Sequence, residues 1–176
     1  MKTEHTYKSL PSQMTKVQFL NCFGSVYESS PWIAETAWDL GQIDSKAIDS
    51  AEKLSSIFSQ IVDKASDKKK LALLNAHPDL AGKLAIAGRL TADSTKEQAG
   101  ADLQNCTKEE FEQFQKLNTN YKEKFGFPFI LAVQGYQRSE ILKIFEKRIK
   151  NSIEEEYKVA LAQVNRIALL RIGRIE

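Results

Sequence analysis

Few residues in this chain are equipped for chemistry. It holds two histidines, His5 and His77, and two cysteines, Cys22 and Cys106. These four are too scattered to supply a zinc or iron–sulfur ligand spacing, so neither a metal nor a cofactor is expected; an all-carboxylate metal site has no motif to support it. Neither cysteine has an activating motif, and each reads as a small apolar group in a reducing compartment.

Imidazole is the side chain that titrates nearest neutrality, and His77 stands directly before Pro78, where helical backbone is disfavoured. A histidine at such a break can project into a cleft and move protons. It can equally contact the last carbonyls of the helix it ends, and both readings stay open. Glu97 is the fourth residue of Ser94-Thr95-Lys96-Glu97, a capping-box pattern in which its side chain would bind the Ser94 N–H. Gln98, on the opening turn of that helix, would ordinarily be solvated. Arg171 falls on the apolar stripe of the last expected helix; it either reaches solvent along its stem or, if buried, needs an anion.

Phe127-Pro128-Phe129-Ile130-Leu131-Ala132-Val133 is the one apolar run without a readable period, and its proline argues against a central strand. Irregular buried backbone has N–H and C=O groups that need partners. The run could cradle a small polar heterocycle or serve as a packed linker.

Helices must position these groups. Val17, Leu20, Phe23 and Val26, widened by Phe19 and Tyr27, predict an amphipathic helix from Met14. Ser29-Ser30-Pro31 should stop it and start another carrying Trp32 and Trp38. Ile48, Ala51, Leu54, Phe58, Ile61 and Val62 predict a long helix over 45–65. Asp67 can cap the next, through Leu71 and Leu74 to a stop near Ala76-His77-Pro78. A short helix from Asp79 to Gly88, a turn over 89–93 and the Ser94 box should follow. Thr107-Lys108-Glu109-Glu110 is a second box, opening a helix on Phe111, Phe114, Leu117, Tyr121 and Phe125 that Gly126 can end. Ser139 precedes Ile141, Leu142 and Phe145. Ser152-Ile153-Glu154-Glu155, a third box, opens a last helix to Arg174 with Tyr157, Leu161, Val164 and Ala168 on its stripe.

With 176 residues, 42% hydrophobic and 27% charged, the pattern predicts an all-α fold: one compact domain of roughly seven to nine helices over 12–176, behind an N-terminal extension of 1–11. The 25 basic and 23 acidic residues leave no net field for a nucleic acid backbone. No apolar run reaches the roughly 18 residues of a membrane helix. Lys2-Thr3-Glu4-His5 does not open a signal peptide, and Arg174-Ile175-Glu176 is not a peroxisomal address, so a cytoplasmic location is expected.

Several segments together resemble the OHCU decarboxylase family, enzymes that act on 2-oxo-4-hydroxy-4-carboxy-5-ureidoimidazoline. They are Phe23-Gly24-Ser25-Val26-Tyr27-Glu28 with Ser30-Pro31-Trp32-Ile33-Ala34, and Asn75-Ala76-His77-Pro78-Asp79-Leu80. Leu90-Thr91 with Ser94-Thr95-Lys96-Glu97-Gln98 follows, then Leu117-Asn118-Tyr121 and Lys124-Phe125-Gly126-Phe127-Pro128-Phe129-Ile130. Their order and spacing carry the resemblance along essentially the whole domain. It implies a cofactor-independent, homodimeric decarboxylase that yields (S)-allantoin and carbon dioxide late in urate breakdown. By position in the family motifs, His77 corresponds to the catalytic histidine, Glu97 to its acidic partner and Pro78 to a substrate contact. Ser94, Thr95, Lys96, Glu97 and Gln98, together with Phe129, Ile130, Leu131, Ala132 and Val133, correspond to substrate-binding segments. Arg171, in the shorter Leu170-Arg171-Ile172 match, is a further candidate for offsetting substrate charge. A different class stays in view: a non-catalytic helical module whose apolar groove takes a partner helix. That reading requires the Phe127 to Val133 run to be exposed in the single chain.

Overall fold

The computed structural model describes residues 10–43, 46–82 and 90–175. Among the described residues lie eight α-helices, three short 3-10 segments and no strand, so the all-α expectation holds. Contacts group the chain into two compact units, Met1–Ala76 with Val164–Glu176, and His77–Gln163.

In the first unit, α1 (Lys16–Phe23) opens on a reciprocal box between Thr15 and Gln18. Its buried face is Phe19 and Phe23, both wholly buried, whereas Val17 is 69% exposed. The predicted series in steps of three is therefore corrected: three residues fall about 60° short of a full turn, so such a series winds off the core, whereas a single step of four overshoots by only about 40°. Val26 and Tyr27 are buried in the turn beyond the helix. α2 (Trp32–Asp39) starts behind Pro31 with no side-chain cap, so the expected serine cap is not made. Helix α3 (Ala51–Lys64) begins later than predicted, at Ser50, whose hydroxyl accepts from the Lys53 N–H, after a 3-10 turn at Lys46–Ile48. Its Leu54, Phe58 and Val62 are fully buried. Phe58 meets Phe19 and Tyr27 edge-on, with centroids 6.3 and 6.2 Å away. Ser66, not Asp67, caps α4 (Asp67–Asn75); serine placed one residue earlier reaches the Lys69 N–H, while Asp67 sits in the first turn, where its charge favours the helix dipole.

In the second unit, residues 79–82 form a turn; the remainder of the helix expected up to Gly88 lies outside the described residues. α5 (Ala92–Gly100) is capped by Thr91, which accepts from the Ser94 N–H. This corrects the Ser94 box: the helix starts three residues earlier, and Ser94 and Glu97 lie within it. α6 (Lys108–Phe125) follows its prediction closely, with the Thr107–Glu110 box at one end and Gly126 at φ +78° at the other. α7 (Arg138–Arg148) starts where the Glu140 carboxylate accepts from the Gln137 N–H at 2.8 Å. α8 (Ile153–Ile172) opens with Ser152 accepting from the Glu155 N–H, and its last part belongs to the first unit. Glu156, Ala160, Val164, Ala168 and Ile172, each four apart, are buried to 1% exposure or less. The predicted Tyr157 and Leu161 lie one residue off this line and are half-buried.

Tyr121 centres the aromatic core of the second unit, within 6 Å of the Phe125, Phe127, Phe129 and Phe145 rings. Each such side chain contributes about 1.5–3 kcal/mol by leaving water. The run over 127–133 has neither helix nor strand, and all of it but the half-buried Ala132 is buried. It is therefore not the exposed groove that the binding-module reading requires.

Candidate active site

Helix α4 ends where expected, with the Ala76 N–H donating back to the Ala72 carbonyl at 3.0 Å. His77 follows outside the helix, because Pro78 disfavours helical backbone before it. It is 8% exposed.

The turn after Pro78 is held in an unusual way. The Asp79 carbonyl accepts from Gln98 Nε2 at 3.3 Å, the Leu80 carbonyl from Asn118 Nδ2 at 3.0 Å, and the Ala81 carbonyl from Gln115 Nε2 at 3.1 Å. Three successive carbonyls are thus each taken by a side-chain amide. Gln98 Oε1 also accepts from the Ala81 N–H at 3.1 Å, and the Asp79 carboxylate pairs with Lys122 at 2.7 Å. Ala81 itself has φ +48°, a left-handed conformation costly for a residue with a Cβ.

Helix α5 presents the second candidate segment. Ser94 and Gln98, four apart, are 4% and 2% exposed, and Glu97 stands on the same side, half-buried. Thr95 is half-buried and Lys96 is exposed. The buried Gln98 contradicts its expected solvation. Its amide ties this helix directly to the turn that follows His77-Pro78.

In the third segment, the irregular run finds its polar partners within the chain. Arg148 Nη1 donates to the Ile130 carbonyl at 2.7 Å, and Gln163 Oε1 accepts from the Ala132 N–H at 3.0 Å. Phe129 stacks on Phe145 at 3.8 Å between centroids, and the Arg148 guanidinium lies 4.4 Å over Phe129. Arg148 is anchored in turn by Glu156, through Nε at 2.9 Å and Nη2 at 2.5 Å. Glu156, wholly buried, also accepts from the Tyr121 hydroxyl and from Asn151 Nδ2. Burial first, and then the hydrogen bond to Glu156, push the Tyr121 phenol well above its ordinary pKa.

Arg171 belongs to the first unit. It is 4% exposed, and Nη1 lies 3.0 Å from Glu28 Oε2 and donates to the Val26 carbonyl at 3.4 Å. The solvent-reaching reading of Arg171 is therefore corrected, and Glu28 is an anion of the kind its burial demands.

No local pattern in the sequence marks Gln115, Lys122, Arg148 or Glu156. Asn118 did carry a signal: it sits in the buried series Phe114, Asn118, Tyr121 and Phe125, where an apolar residue belongs. Among the described residues no group of three or more His, Cys, Asp or Glu could hold a metal ion.

The model of the OHCU decarboxylase family matches residues 12–173. The chain belongs to the OHCU decarboxylase family. Within that family it is 39% identical, over 155 residues, to the 2-oxo-4-hydroxy-4-carboxy-5-ureidoimidazoline decarboxylase of Haloferax volcanii, covering 88% of this chain and 87% of that one. Its fold is similar to a crystal structure of (S)-allantoin synthase, with a TM-score of 0.72 and 31% identity over 92% of this chain and 50% of that one. A crystal structure of OHCU decarboxylase in the presence of (S)-allantoin, 19% identical, shares the fold with a TM-score of 0.63 over 92% of this chain and 97% of that one.

Proposed function

We propose that this chain decarboxylates 2-oxo-4-hydroxy-4-carboxy-5-ureidoimidazoline to (S)-allantoin and carbon dioxide, in the breakdown of urate. The observation that carries the reading is the family match over residues 12–173, nearly the whole chain, which includes His77 and its buried setting.

Breaking the carbon–carboxylate bond leaves an electron pair on the ring. The conjugated C=N of the heterocycle takes it up, so the substrate serves as its own electron sink. A ring carbon is then protonated on one face, while the hydroxyl-bearing carbon becomes a carbonyl. His77 engages the hydroxyl and carboxylate region and takes part in proton transfer, with Glu97 holding and polarising the imidazole. Pro78, Ser94 to Gln98 and Phe129 to Val133 line the substrate. Although both ends of the Gln98 amide are committed to the turn, the group still has a second N–H to donate.

The active species is a homodimer in the cytoplasm. The family resemblance supports the dimer, and two free, half-buried cysteines, Cys22 and Cys106, fit a reducing compartment. Light scattering coupled to gel filtration tests the dimer.

The decisive experiment supplies freshly generated substrate and reads the enantiomeric excess of the allantoin. Spontaneous decay gives racemate, so product alone decides nothing. A strong excess of the S enantiomer is expected; racemic product formed at the uncatalysed rate would sink the reading.

A further inference from the structure

We propose that Gln115 and Asn118 are positioning residues, which set the direction of His77 by clasping the turn that leads out of His77-Pro78; this rests on the catalytic reading of His77. Two observations separate the clasp from ordinary packing. First, the turn does not follow its own preference. Ala81 is held at φ +48° while 1% exposed, with both its N–H and its C=O bound by side chains, from Gln98 and Gln115. Such backbone persists only where its surroundings over-determine it. Gly82 continues the constraint, since a Cβ there would come within 2.8 Å of the Asp79 Cβ.

Second, Asn118 is poorly chosen for stability alone. It is 2% exposed in an aromatic series, and while Nδ2 serves the Leu80 carbonyl, Oδ1 is buried with no hydrogen-bond partner among the described residues. Leaving a carbonyl oxygen desolvated is unfavourable, and a leucine would fill the site without that cost. The asparagine is explained by what its N–H does, which is to hold one carbonyl of the turn. Gln115, Asn118 and Lys122 lie at steps of three and four along α6, so one rigid face meets Ala81, Leu80 and Asp79 in turn. A small rotation of this turn is transmitted through Pro78, whose ring removes one backbone freedom, straight to His77.

The test uses Gln115, which is half-buried and so can be replaced without emptying the core. With only two histidines in the chain, the imidazole resonances of His77 are assigned by comparison with His5→Gln. In Gln115→Leu the His77 resonances should move while those of His5 stay. The value of kcat should fall about tenfold to a hundredfold with KM nearly unchanged. Gln115→Lys, which keeps a donor on a long stem, should restore most of both. His77 resonances that do not move in a folded Gln115→Leu protein would overturn the proposal whatever its rate. The magnetic resonance readout needs no substrate, so loss of the decarboxylase assignment would leave it separately decidable.

Discussion

Arg171 and Glu28 form an ion pair of 3.0 Å, with 4% and 3% of their side chains exposed. Such a pair holds because neither charge meets water and each offsets the other's desolvation. Breaking it from one side leaves the partner charged in a dry setting. Arg171→Leu or Glu28→Leu should therefore cost about 3–5 kcal/mol, read by urea unfolding. The double variant Arg171→Leu with Glu28→Leu should regain most of that stability. If Arg171 also offsets substrate charge, the double variant stays slow in kcat/KM. Recovery of both would confine Arg171 to the fold.

His77→Ala should abolish stereospecific allantoin formation while leaving the far-UV helical signal and melting temperature nearly intact. His77 lies beyond the end of α4, so the backbone hydrogen bonds of that helix remain when its side chain is removed. Near-normal turnover in this variant would remove His77 from the mechanism.

Thr91 and Glu97 give a matched pair of tests. Thr91 holds the N-terminus of α5 by accepting from the Ser94 N–H at 3.3 Å. Thr91→Ala should then cost about 0.5–2 kcal/mol of stability. Glu97 lies within the helix rather than at its cap, so Glu97→Gln should change stability by only about 0.5 kcal/mol. It should lower kcat strongly, because an amide polarises His77 less than a carboxylate. Thermal unfolding and single-turnover rates check both; a Glu97→Gln protein that loses stability but keeps its rate would overturn the catalytic assignment.

Tyr27 and Tyr121 predict an alkaline limit to stability. Burial raises both phenols above their ordinary pKa, reinforced by the Asp63 charge at Tyr27 and the Glu156 hydrogen bond at Tyr121. The folded state thus keeps two protons that the unfolded chain releases near pH 10, and stability is complete below that pH and falls as pH rises above it. Spectrophotometric titration should show Tyr27 and Tyr121 ionising only on unfolding. Ionisation of both in the folded protein would contradict the buried network.

What could be read along the chain, and what could not, divides by the range of the forces involved. The Thr107–Glu110 box, the Gly126 stop and the break at His77-Pro78 were legible, because each is settled by a few adjacent residues. Thr91 and Ser94 are both good caps, so local preference could not choose the true start of α5. Gln98 looked solvated and Arg171 looked free to reach water, because a polar side chain on a helix shows nothing of what covers it. Nothing local to Arg148 or Glu156 shows their pairing, for the same reason.

Residue types and spacing settled the all-α class, the ends of the longer helices and, through the family segments, the candidates His77 and Glu97. Tertiary structure alone decided that Glu28 faces Arg171, that Glu156 faces Arg148, and that Gln98, Gln115 and Asn118 converge on three carbonyls after His77. Helix formation and capping are decided by hydrogen bonds spanning three or four residues. Partnering a buried charge, or clasping a strained turn, depends on groups far apart in the chain that only packing brings within hydrogen-bond reach.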